Sequence, residues 1–104
     1  MAQNEYNGWT NWETWVVNLW IDNDQNLYEY YGDMAHAEVS KDKETATFNL
    51  SLTLQEQFDE WMPEIEGLYL DLLNGAMREI NWHEIARHLV ERVEEEKNYA
   101  KQVN

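Results

Sequence analysis

His83, Glu84 and His88 are the residues of this 104-residue chain that come nearest to a hydrolytic metal site. A zinc-binding helix of that kind needs histidines four residues apart, so that both reach one ion from one face, with a glutamate as base. Here the interval is five, which turns the rings about 140° apart around a helix. Arg87 stands where the second ligand belongs, and the segment reads as a solvated helix face. His36 is alone.

Asp22, Asp24 and Asn26 match the first, third and fifth positions of a calcium loop. The sixth position must turn sharply and takes glycine, but it is Leu27, and the twelfth is Asp33 in place of glutamate. Helix capping is the better account of these side chains. Ser40 and Ser51 lie near no histidine-bearing segment, four scattered glycines form no phosphate loop, and there is no cysteine. With 21 acids, carboxylate pairs are unavoidable, so no pair alone marks a general acid and base. No catalytic residue, cofactor or metal is expected.

The elements that would position any site are read from helical periodicity. Thr10 to Glu13 fits a capping box, with Thr10 as cap and Glu13 returning the bond. Trp12, Trp15, Val16, Leu19 and Trp20 then share one broad face, with Val17 and Ile21 on the other side and Thr14, Asn18 and Asp22 as a polar strip. A helix apolar nearly all round is usually central, which assigns these tryptophans to the core. Asn23 or Asp24 caps a second helix to about residue 39, weakened by about 1 kcal/mol at Gly32. Residues 40–47 read as a loop.

Residues 48–54 alternate as a strand would, yet no second strand offers a partner. A third helix beginning between 49 and 54 is preferred, with Thr53 to Glu56 as a capping box and Pro63 as its end. A fourth helix spans about 66–79. A fifth starts at Asn81 and carries the stripe Trp82, Ile85, Ala86, Leu89, Val90 and Val93. "NWETWVVNL" and "NWHEIARHL" repeat one capping pattern. The expected architecture is all-α: a single domain, residues 1–104, of four or five short helices. Residues 1–9 would be an N-terminal extension and 98–104 a frayed tail. Its core would be Trp12, Trp15, Leu19, Phe58, Trp61, Leu72, Trp82, Ile85 and Leu89.

Charge limits the partners. The net charge is −14, and residues 1–40 hold seven acids with no Lys or Arg. That sign opposes direct binding to nucleic acid or to an anionic membrane. No signal peptide or apolar run of roughly 20 residues is present, so a cytoplasmic setting is expected. Two acidic groups have no basic neighbour in sequence: Asp22, Asp24, Glu29 and Asp33 around the first helix break, and Glu56, Asp59, Glu60, Glu64 and Glu66 further on. A sphere of this chain length, about 33 Å across, matches a duplex segment carrying about 20 phosphates. The 21 acids are of that order. Unneutralised acids repel one another and destabilise a compact fold, which argues for a use.

"YNGWTNWETWVVNLWIDND" (6–24) and "LLNGAMREINWHEIARHL" (72–89) together resemble a family of small acidic proteins of unknown function. Such proteins are encoded by bacteriophages, plasmids and bacterial mobile elements. The resemblance implies a mostly helical domain and supplies no catalytic residues. It also implies an accessory role, by analogy with proteins that imitate DNA to block restriction or CRISPR effectors. The expected function is thus a non-catalytic, acidic protein-binding module whose partner is a basic, nucleic-acid-binding host protein. The alternative is a structural or homo-oligomeric helical module, a homodimer being one form of it, motivated by Val17, Ile21 and the wide apolar stripe of the fourth helix.

Overall fold

Tyr6, Asn7, Gly8 and Trp9 form a tight turn ahead of the first helix. Tyr6 and Trp9 exchange two backbone hydrogen bonds of 2.8 Å, and Asn7 and Gly8 have φ of 48° and 88°. Asn-Gly is the pair that tolerates two successive positive φ values in a primed turn. The computed structural model describes the backbone of residues 5–103 and the side-chain surroundings of 5–99; residues 1–4 of the expected extension lie outside it. The turn is folded back on the body: Tyr6 lies 4.9 Å from the Trp15 ring, and Trp9 meets His88 edge-on at 5.2 Å.

Five helices follow among the described residues: α1 (Trp12–Asn23), α2 (Gln25–Glu38), α3 (Lys43–Glu60), α4 (Gly67–Glu79) and α5 (Trp82–Val103). The all-α, single-domain expectation holds, and residues 48–54 are helical. Their alternation has a simple origin. Leu50 and Leu54 point inward and Phe48 and Leu52 outward, two i, i+4 pairs on different faces of one helix. The loop expected over 40–47 shrinks because Asp42 caps α3, accepting from Thr45 N at 2.9 Å and from Thr45 Oγ1 at 2.7 Å. Thr10 does not cap α1, since Asn11 takes that place by accepting from Thr14 N, and Thr53 does not cap a helix either; its hydroxyl donates to Asn49 O one turn back.

The core lies where α3 and α2 pack on α5. Ile85, Ala86, Leu89, Val90 and Val93 are buried there with Leu50, Leu54, Tyr31, Ala35 and Ile21. Burial on this scale is the main stabilising contribution, at about 1.5–3 kcal/mol per large apolar side chain. Gly32 leaves room for α5: a Cβ there would sit 3.1 Å from Arg92 Nη2.

α1 overturns the expected core. Its buried residues are Thr14, Asn18 and Ile21, with Val17 packed against the core, whereas Trp12, Leu19 and Trp20 face outward. Trp15 is only half-buried. The reason is hydrogen-bond chemistry. Thr14 Oγ1 accepts from Asn81 N at 2.9 Å and donates to Asn11 Oδ1, and Asn18 Nδ2 donates to Asp22. The polar strip ties α1 to α5, so it turns inward. Trp61 and Leu72 are likewise exposed and Phe58 half-buried; of the expected core, Trp82, Ile85 and Leu89 are buried.

Candidate protein interface

Asp22 belongs to a structural network. Its carboxylate lies 3.6 Å from His88 Nε2 and 3.5 Å from Arg92 Nη1, and it accepts from Asn18 Nδ2 at 3.0 Å. Burial raises its pKa, but the hydrogen bonds and charges of His88, Asn18 and Arg92 outweigh that and hold it below the ordinary aspartate value. The Arg92 guanidinium, 4.0 Å over the Tyr28 ring, completes the cluster. Asp24 is also engaged, capping α2 by accepting from Leu27 N at 3.0 Å. Two of the four acids expected around the first helix break therefore serve the fold.

His83 is exposed and His88 is turned to Asp22, so the two do not converge. Glu84 accepts from Thr10 N at 3.0 Å. Among the described residues no group of three or more His, Asp or Glu is placed to hold a metal ion. Among them, too, no helix is long and apolar enough to cross a membrane.

The second acidic group has different surroundings. Glu56, Asp59, Glu60, Glu64 and Glu66 are all exposed, and no described Lys, Arg or His forms an ion pair with any of them. No Lys or Arg occurs between Lys43 and Arg78, and Lys43 pairs with Glu91 on α5, lowering the Glu91 pKa. Asp59 and Glu60 stand in the last turn of α3, which has no base. Helix carbonyls already concentrate negative charge there, so each acid costs about 0.3–1 kcal/mol.

Trp61 stands among these acids, half-exposed, on an aromatic base. Its ring lies 5.4 Å from Phe58 and 6.4 Å from Tyr30, and Phe58 lies 5.5 Å from the buried Trp82. Gln57 joins the helices, donating to Tyr30 Oη and accepting from Tyr31 Oη, each at 2.7 Å. Burial raises the Tyr31 pKa, which keeps it a donor. These bonds hold the Tyr30–Tyr31 turn of α2 against the end of α3. Trp61 is thus a half-exposed ring at the end of a helix whose nearby acids have no ion-pair partner among the described residues. The sequence signals the acids but not Trp61, which helical spacing places with the buried stripe.

The charge is spread over a longer body than a sphere. Extents of 56 × 32 × 25 Å set the 21 acids against roughly 33 phosphates for duplex of the longest dimension. Neither curated proteins nor solved structures give a match to the chain. A family model, described as a family of unknown function (DUF7249), matches residues 2–100, and the chain belongs to that family.

Proposed function

We propose that this protein is a non-catalytic binding module that docks on a basic site of another protein through the carboxylates around Trp61. The observation that carries this reading is the placement of Asp59 and Glu60, with Glu56 just before them, at the negative end of α3 and without a compensating base. A fold selected for stability alone would place Lys or Arg there. Trp61 gives the patch an apolar centre of the kind that dominates interface energetics, and the acids give it fast, salt-sensitive association.

The finer reading is a cytoplasmic accessory from a phage, plasmid or mobile element that blocks a nucleic-acid channel by imitating DNA. The resemblance of residues 6–24 and 72–89 to small acidic proteins of such elements supports it. The test is capture of a partner from bacterial lysate, its identification by mass spectrometry, and titration calorimetry against salt. Glu56, Asp59 and Glu60 changed together to Lys should abolish binding with the fold intact, and Trp61→Ala should weaken it at least tenfold, as loss of an interface anchor does. Duplex DNA should compete for the partner. Binding that survives the charge reversal, or ignores salt, rules the module out; absence of competition by DNA rules out the mimicry.

A further inference from the structure

We infer that the apolar face of α4 is the contact surface for a second copy of this chain. α4 buries none of its residues and meets the body chiefly through α1. Leu68, Tyr69 and Leu72 are 67%, 72% and 61% exposed, and Trp12 beside its C-terminal end is 50% exposed. The two helices join there, where Asn11 Nδ2 donates to Glu79 O at 2.6 Å.

A 13-residue helix is marginal in water without packing. This one also lacks a side-chain cap at Glu66 and carries Gly75 in its interior. A covering surface supplies the missing stabilisation.

Charge identifies the occupant. In a chain of net −14, residues 67–79 carry two acids, Asp71 and Glu79, against Arg78, a net of −1. Two copies meeting here bring together a weakly charged part of a strongly acidic molecule. Asp71 and Arg78 lie seven residues apart along one rim of α4 and have no ion-pair partner among the described residues. Antiparallel pairing about a dyad midway between them sets each opposite the other, twice over, as an isologous interface does. The area is adequate. At about 200 Å² for each large side chain, the exposed parts of Leu68, Tyr69, Leu72 and Trp12 amount to roughly 500 Å² per copy. Both copies together reach about 1,000 Å², the floor for a specific interface. A basic partner, by contrast, would find most of its counter-charges around Trp61, so this inference stands apart from the proposed function.

Sedimentation equilibrium of the full chain tests it at low and high sodium chloride. A monomer–dimer equilibrium is expected, and added salt should tighten it by screening the repulsion between two anionic bodies. Leu72→Glu should weaken the dimer at least tenfold, with helicity by circular dichroism as the control for folding. Arg78→Glu should weaken it, and pairing that change with Asp71→Arg should restore it. A strict monomer at every concentration and salt, a dimer indifferent to Leu72→Glu, or one loosened by salt overturns the inference. Reversal of Glu56, Asp59 and Glu60 tests the other surface and should leave the dimer in place.

Discussion

Asn11 and Asn81 cap α1 and α5 in the same way: each side-chain Oδ1 accepts the backbone N–H three residues on, Thr14 at 2.9 Å and Glu84 at 3.0 Å. The two caps also hold one another. Asn81 N donates to Thr14 Oγ1 and Asn81 Nδ2 to Thr10 Oγ1, while Asn11 Nδ2 reaches Glu79 O. One local solution, used at two points 70 residues apart in sequence, becomes the joint between α1, α4 and α5.

Loss of either cap should cost about 1 kcal/mol. Asn81 reaches Thr14 through its backbone N–H, which Asn81→Ala keeps, whereas the Thr14 hydroxyl donates to the Asn11 side chain. Asn11→Ala and Thr14→Ala should therefore not add: urea denaturation of the double variant should show a coupling of at least about 0.5 kcal/mol. Strict additivity would mean that the Thr14 hydroxyl takes no part in the cap.

Asp22 makes stability depend on acid pH. Its folded pKa lies below the ordinary value of 3.8, so the carboxylate stabilises the native state at every pH above that value. The contribution is lost as pH falls through the lower, folded value. Asp22→Asn should destabilise by about 1–3 kcal/mol at neutral pH, since it removes the nearer of the two carboxylates that Arg92 meets, leaving Glu96 at 4.0 Å. The gap between the two proteins should then close as the pH falls below about 4. A gap constant across that range contradicts the assignment.

Gly32 should resist improvement. Alanine in a helix interior gains about 1 kcal/mol over glycine, but here its Cβ meets Arg92 Nη2 at 3.1 Å. Arg92 is held by Tyr28 and Asp22 and has little room to yield. Gly32→Ala should therefore be neutral or destabilising alone and stabilising beside Arg92→Met, as read from urea midpoints of the four proteins.

The acids at the end of α3 should trade stability for binding. Changing Asp59 and Glu60 to Lys places favourable charge at the helix terminus and should raise stability by about 1 kcal/mol. The same change should weaken the partner complex. A thermal melt that falls would show that these acids serve the fold.

The sequence was most legible where helix faces are sharply divided. On α5 the stripe Trp82, Ile85, Leu89, Val90 and Val93 is buried as its spacing predicts. α1 was illegible because it is apolar nearly all round, so periodicity alone cannot choose its inner face. The tertiary bond from Asn81 N to Thr14 and the pairing of Asp22 with His88 and Arg92 decide it, and they are invisible until α5 is in place. The same applies to the candidate interface. The five acids from Glu56 to Glu66 stand out in sequence, whereas Asp22 and Asp24 look alike until Arg92, His88 and Leu27 N claim them.

The outward turn of α1 can be read directly. Hydroxyl-radical footprinting, resolved tryptophan by tryptophan by mass spectrometry at a dilution where the chain is monomeric, measures how far each ring meets solvent. Trp20 should be modified fastest, with Trp12 and Trp61 close behind and Trp82 protected. Protection of Trp12 and Trp20 to the level of Trp82 would contradict it.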